Sequence, residues 1–271
     1  MAIHPTAVID PKAELDSSVD VGAYAMIDGH VRIHEHAKVY HHAYITGWTD
    51  IGPGCQIHPF AVVGHLAQHV EPTYERSYCR IGAGTIIREH ATVHRGLTPE
   101  SVTVVGKDCL LLVNAHVAHD CQVGDGVQLI NNVALGGHVI VGKRAVFGGG
   151  TAVHQHVRVG EYTMFHGLTA CGTDVPPYFL VAGLHTAMGI NVVGLRRGGF
   201  SAQVRTELKE AYRLLYRRGL PMGRAIEKIE AMVTTEAGRR LVEFLRVPTK
   251  RGICKGPDAP NVWKSRGIET S

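Results

Sequence analysis

Large aromatic side chains are scarce in this sequence: Phe, Trp and Tyr make up 6% of 271 residues, while glycine reaches 32. Few rings and many glycines suit a fold of tight turns around a narrow core. No apolar run is long enough to cross a bilayer, which argues against membrane insertion. No secretory leader is expected, because polar, patterned residues begin at once (Ile3, His4, Pro5). The six cysteines (Cys55, Cys79, Cys109, Cys121, Cys171 and Cys254) contain no CxxC pair. We therefore expect a reduced, cytoplasmic protein whose cysteines are small core residues. A large excess of one sign of charge is also lacking: 28 Lys and Arg stand against 24 Asp and Glu, a net +4. So small an excess fits ordinary surface chemistry or a phosphorylated or acidic partner, and nothing points to nucleic acid.

What the chain does have is a six-residue period. Aliphatics recur at Ile3, Ile9, Leu15, Val21, Ile27, Ile33, Val39, Ile45, Ile51, Ile57 and Val63, then from Ile81 to Val93, and again from Val105 to Cys171. Four residues after each comes a small one, such as Ala7, Ala25, Ala43, Ala61, Ala115 and Cys121. This is a hexapeptide repeat. Each hexapeptide is one short strand and a turn, three make an 18-residue triangular coil, and coils stack at strand spacing, about 4.8 Å. Stacking pairs each backbone amide with the coils above and below. Repeats of this kind resemble the left-handed parallel β-helix family, and the handedness, an exception to the usual crossover rule, is taken from that resemblance.

The expected fold class is mainly β: a left-handed parallel β-helix over residues 1–177, with a C-terminal α-helical domain. The pattern breaks at 64–80 and 96–104. Loops on a rigid scaffold often carry function, so both are candidates. The repeat ends at Asp174-Val175-Pro176-Pro177, where two prolines stop ladder pairing. Residues 178–248 read as a transition segment and helices. The first helix has Ser201 as N-cap and Val204, Leu208, Ala211 and Leu215 on its apolar face. The second spans Met222 to Met232. The third is capped at Thr234 or Thr235 and buries Leu241, Val242 and Leu245. Residues 249–271 form a basic tail expected to be poorly ordered, with Trp263 as a possible anchor.

Eighteen histidines are present, most at positions that read as solvated corners. His119, in Asn114-Ala-His-Val-Ala-His-Asp-Cys121, has special neighbours. The 18-residue coil places Gly137 above it and Gln155 above Gly137, with His138, His154 and His156 alongside. A neutral imidazole can take a proton from a hydroxyl near neutral pH. Asp120 is placed to orient it, unless adjacency along the chain turns the two side chains apart. Gly137 leaves its N–H unshielded for an oxyanion. The competing account makes Gly136 and Gly137 merely a turn that needs positive φ. Cys121 sits at an inward position and is a poor nucleophile, so direct attack by a substrate hydroxyl is the simpler chemistry.

Several strings resemble the acyl-[acyl-carrier-protein]–UDP-N-acetylglucosamine O-acyltransferase family of lipid A biosynthesis. They are Val93-His94-Arg95-Gly96, Asn114 to Cys121, Ala152-Val153-His154-Gln155, Asp174 to Tyr178, and Gly189 to Ser201. The resemblance implies a homotrimer with sites between subunits. It implies transfer of a 3-hydroxyacyl group from the phosphopantetheine of acyl carrier protein to the 3-hydroxyl of a UDP-sugar, with no cofactor or metal of the enzyme's own. His119 falls on the family's catalytic base, with Asp120 beside it, and Gly137 on the residue whose N–H faces the thioester oxygen. Gln68, His116, His138, His154 and Gln155 fall on positions that shape the substrate site. Asn191 and Arg197 fall near the nucleotide and phosphates. Gly167 falls where acyl-chain length is limited, with Met164 and His166 beside it. An acidic carrier protein would suit the basic residues of the helical region: Arg196, Arg197, Arg205, Lys209, Arg213, Arg217, Arg218 and Arg224.

The departures concern the acceptor. The family's first loop carries Q-D-x-K-Y, whereas here Gln68 is followed by His69 and no lysine, although Glu71-Pro72-Thr73 are retained. Val193 stands for an acidic residue, and Gly198 for the second of a basic pair. A rival reading therefore keeps the chemistry on another UDP-sugar or a UDP-amino sugar. A second rival is a γ-carbonic-anhydrase-like metalloenzyme with His116, His119 and His138 as zinc ligands. A third is an inactive scaffold.

Overall fold

The architecture comes from a computed structural model, which describes residues 2–71 and 74–257. Among these, strands of two to five residues form three sheets of eleven, nine and eight strands. Every pairing is parallel except the last hairpin. The register repeats at one coil: His116 pairs with Ala134, Ala134 with Ala152, and Ala152 with Ala170. The sequence is thus a left-handed parallel β-helix with a helical C-terminal region.

The periodic aliphatics fill the coil. Ile27, Ile45, Leu111, Val117, Leu129, Leu135, Phe147 and Phe165 are buried, and so are the small residues Ala25, Ala43, Ala61, Ala115 and Cys121 near the corners. Phe147 and Phe165 stack one above the other, 4.6 Å between ring centres. All six cysteines are buried and unpaired.

Each interruption of the repeat lengthens one coil. Val63 pairs with Val93, and Val93 with Val117, so those coils hold thirty and twenty-four residues. Both extra segments replace the same corner, between the nine-strand and eight-strand sheets. In the coil directly after the second segment, this corner carries His119 and Asp120, and in the one after that Gly137 and His138.

Corner turns place one residue in the left-handed region, with φ of 59° at Asp120, 59° at His138 and 64° at His156. Neither Gly136 nor Gly137 has positive φ, so the turn account of these two glycines is set aside. Close packing explains them instead. A Cβ on Gly136 would lie 2.8 Å from the Gln155 nitrogen, and one on Gly137 would lie 2.6 Å from His119 Cε1 and Nε2.

Prolines 176 and 177 do not end the ladder. Phe179–Ala182 adds one more parallel strand beside Met164–Phe165 and turns back as Thr186–Ile190. Helix α1 (Val192–Arg197) follows, within the segment the pattern leaves as a transition. It is only six residues long, too short to show a period. Helices α2 (Ala202–Tyr216), α3 (Met222–Met232) and α4 (Glu236–Arg246) have Ser201 as N-cap of α2 and Thr235 as N-cap of α4. Tyr212 of α2 donates to the Ala187 carbonyl (3.0 Å), and Arg240 of α4 pairs with Glu161 (3.2 Å). The helical region therefore sits on the hairpin and beside the last coils.

The start of the basic tail departs from expectation. Ile253 bridges to Asp174, Lys255 bridges to Thr186, and Cys254 is fully buried. Pairing to the last coil holds this stretch, an interaction that composition alone does not reveal. The remainder of the tail, with Trp263, lies outside the described residues, as do Pro72 and Thr73.

Candidate active site

The column expected from coil arithmetic is present. The His138 N–H donates to the His119 carbonyl, and the His156 N–H to the Gly137 carbonyl, both at 3.0 Å. His119 is 7% exposed, and its ring lies directly over Gly137. Its Nδ1 donates to Asp120 Oδ2 at 2.8 Å, so the adjacent side chains are not turned apart. Among the described residues the Gly137 N–H donates to no partner.

The two inserted loops enclose this pair. From the second, the Leu97 N–H reaches Asp120 Oδ2 (3.2 Å), while Thr103 Oγ1 accepts from the Asp120 N–H (2.7 Å). Burial would raise the Asp120 carboxyl, but hydrogen bonds from His119, Ser101 and Leu97 outweigh it and hold it below the usual carboxylate value. From the first loop, the Leu66 carbonyl accepts from His94 Nδ1, and the His69 ring stands edge-on to His119, 6.0 Å between centres. That both loops converge on His119 is not visible in the linear sequence. The only signal is that each replaces the corner that His119 later occupies.

His116 lies beside this pair rather than in it. Its Nδ1 meets Thr92 Oγ1 at 2.7 Å, and its ring contacts His94 at 5.3 Å. Burial, with the neighbouring imidazoles of His94 and His119, pushes it down to about 4. His94 is 5% exposed and was not singled out from the sequence as a site residue. Cys121 is buried with its thiol pushed up to about 12, and it donates to the Gly136 carbonyl. A thiolate nucleophile there is excluded by desolvation.

The other candidates spread outward. His138 contacts His119 at 5.2 Å and stacks on His156 at 4.6 Å. His154, Gln155, Gln68 and Gly167 are exposed. Asn191 is the N-cap of α1: its Oδ1 accepts from Gly194 N–H (2.9 Å), and its Nδ2 donates to the Tyr162 carbonyl (2.9 Å). It therefore sets the position of α1, whose last turn carries exposed Arg196 and Arg197. The basic face of the helices is partly neutralised, with Arg213 and Arg218 sharing Glu210 and Arg224 pairing with Glu227. Among the described residues, one group of three side chains has donor atoms within 4.8 Å of one another: His119, Asp120 and His138. His116 is not in it, so the zinc set His116, His119 and His138 is not assembled. No helix among the described residues is long and apolar enough to cross a membrane.

A parallel coil of hexapeptides with a carboxylate-supported imidazole at one corner defines a hexapeptide-repeat transferase. The profile described as bacterial transferase hexapeptide (six repeats) matches residues 30–65, and that of UDP-N-acetylglucosamine O-acyltransferase, domain 2, matches residues 174–254. Solved structures agree. The LpxA of Acinetobacter baumannii is 36% identical, with 94% of this chain and 100% of that one covered at a TM-score of 0.90. The UDP-N-acetylglucosamine acyltransferase of Francisella novicida is 32% identical, covering 99% and 100% at 0.91. The Arabidopsis UDP-N-acetylglucosamine acyltransferase is 30% identical, covering 93% and 100% at 0.84. The chain belongs to the UDP-N-acetylglucosamine O-acyltransferase family and is an acyltransferase.

Proposed function

We propose that the protein moves a 3-hydroxyacyl group from acyl carrier protein to the 3-hydroxyl of UDP-N-acetylglucosamine, the first step of lipid A biosynthesis. The observation that carries this reading is the His119 Nδ1 to Asp120 Oδ2 hydrogen bond. It keeps the ring proton on Nδ1 and leaves the Nε2 lone pair free. Nε2 takes the proton of the sugar hydroxyl as that oxygen attacks the thioester carbonyl. Asp120 stabilises the imidazolium, and the unspent Gly137 N–H meets the oxyanion. Collapse expels the phosphopantetheine thiolate, which recovers the proton from His119. No metal or cofactor of the protein's own enters these steps.

In this reading His116, His138, His154 and Gln155 shape the pocket along the column, and Gln68 reaches it from the first loop. Gly167 limits the acyl chain. Asn191 acts through α1, which presents Arg197 to the nucleotide phosphates. We place the site between subunits of a homotrimer in the cytoplasm. Exposed Val8 and Met26 share the outer face of the nine-strand sheet with His116, an apolar strip suited to a second copy. Six free, buried cysteines fit a reducing compartment.

The test is acyl transfer from 3-hydroxyacyl carrier protein, with products separated by chromatography across a panel of UDP-sugars. O-acylated UDP-N-acetylglucosamine is expected, and His119→Ala should lower kcat by about 100-fold or more. A second reading, N-acylation of a UDP-amino sugar, is favoured by His69 standing where the family has its acid. An N-acyl product alone would establish it.

A further inference from the structure

We propose that His119, Asp120 and His138 form a binding site for one divalent transition-metal ion, Zn²⁺ foremost, whose occupation switches the enzyme off. The proposal deepens the base assignment, and its inhibitory arm rests on that reading.

Zinc takes imidazole nitrogen and carboxylate oxygen at about 2.0–2.2 Å, usually in tetrahedral array, so its ligands lie about 3.4 Å from one another. Here His119 Nδ1 is 2.8 Å from Asp120 Oδ2, and His138 Nε2 is 3.8 Å from that same oxygen. These two distances bracket the required edge, and all the donor atoms fall within 4.8 Å of one another. Small side-chain rotations close the set. Its supports are in place without an ion: the Asp120 N–H is held by Thr103, Leu97 donates to Asp120 Oδ2, and the His138 ring lies flat against His156, 9° from parallel. Such outer contacts fix ligand orientation before the metal arrives. A further imidazole is at hand in His69, whose Nδ1 accepts from the Glu71 N–H.

The chemistry makes the ion an inhibitor. A metal on His119 Nδ1 needs the lone pair there, so the ring proton moves to Nε2. An Nε2–H cannot accept the proton of a hydroxyl, and the base is lost while the fold is untouched. The ion also takes the Asp120 charge that would stabilise the imidazolium.

The experiment uses metal-free, full-length protein without substrate, titrated with Zn²⁺ against a competing fluorescent chelator and, separately, with Co²⁺ read by absorption. One ion per chain and Co²⁺ bands of low coordination number are expected. His138→Ala should weaken the ion about tenfold or more, whereas His116→Ala, outside the donor set, should leave its affinity unchanged. Zn²⁺ should inhibit transfer over the same range of occupancy, reversibly on adding chelator. Substoichiometric binding overturns the proposal. So does unchanged affinity in both His138→Ala and Asp120→Asn when circular dichroism shows both folded. Binding is read independently of turnover, so a fully active His119→Ala would sink the base assignment and leave the metal site to stand or fall on the titration.

Discussion

His119 Nδ1 lies 2.8 Å from Asp120 Oδ2 although the two residues are adjacent in the chain. Neighbours on a strand point to opposite faces. Asp120 escapes that rule because it sits in the corner turn at φ 59°, which brings its carboxylate to the same side as the imidazole. His138 and His156 adopt the same conformation at the same corner, so the fold supplies this geometry at three successive coils. What is particular to one coil is the residue pair placed there and the two loops that cover it.

Asp120→Asn tests the role of that pair. The amide oxygen can still accept one hydrogen bond, but the charge that stabilises an imidazolium is gone. We expect kcat to fall by about 10²- to 10⁴-fold, with KM for the UDP-sugar little changed, in steady-state assays. A variant with native kcat would reduce Asp120 to an anchor for Leu97.

Gly137→Ala should press on the base and also shield the Gly137 N–H. Gly137 has no positive φ, so its backbone accepts alanine, but the new Cβ would lie 2.6 Å from His119 Cε1 and Nε2. The ring cannot give way without losing Asp120. Loss of activity is expected with a destabilisation of about 1–3 kcal/mol from overpacking. Adding His119→Ala should restore the melting temperature, because the clash is removed with the ring. Failure of that rescue would place the strain in the backbone.

The period of six was enough to reveal the coil, since each aliphatic at that spacing is an interior position, and one coil length sufficed to align His119, Gly137 and Gln155. The convergence of the loops was not legible. Leu97 and Leu66 act through main-chain groups that any residue carries, so their sequence shows nothing of the contacts with Asp120 and His94. That Asn191, expected near the nucleotide, caps α1 was not legible either, because a capping asparagine and a ligand-binding one look alike until Gly194 is seen beside it. The hairpin after Pro177 was missed because a parallel strand can begin after a proline whose N–H is not required.

His116 gives the fold a specific acid sensitivity. Burial lowers its pKa from 6.5 to about 4. Between those values the unfolded chain holds a proton that the folded one refuses, so stability rises with pH across that window. The contribution is complete above about 6.5 and is lost as pH falls toward 4. Replacing His116 with Gln, which can still meet Thr92, should flatten the dependence of the urea midpoint on pH between 6.5 and 4. A parallel profile for the two proteins would show that His116 is accessible to protons in the folded state.

Asp174 is the joint between the β-helix and everything after it. It is 1% exposed, accepts from the Arg158 N–H and Nε (both 2.8 Å), and bridges through its main chain to Gly252 and Cys254. Arg158 in turn lies over the Phe244 ring of α4 and donates to the Val247 carbonyl. One residue therefore joins two parts: its carboxylate orients the guanidinium on which α4 rests, and its main chain holds the C-terminal stretch. Removing one member of a buried pair leaves the other charge unmatched and costs about 3 kcal/mol or more. One buried cluster runs from Val19 to Cys254, but the ladder pairing of the coils around His119 does not pass through Asp174, so in Asp174→Asn the cost should fall locally. Hydrogen exchange should accelerate at α4 and at residues 252–255, while amides of the coil around His119 keep their protection. If protection fell equally in both regions, the helical part and the coil would be one cooperative unit, and the joint would be a pillar of the whole fold.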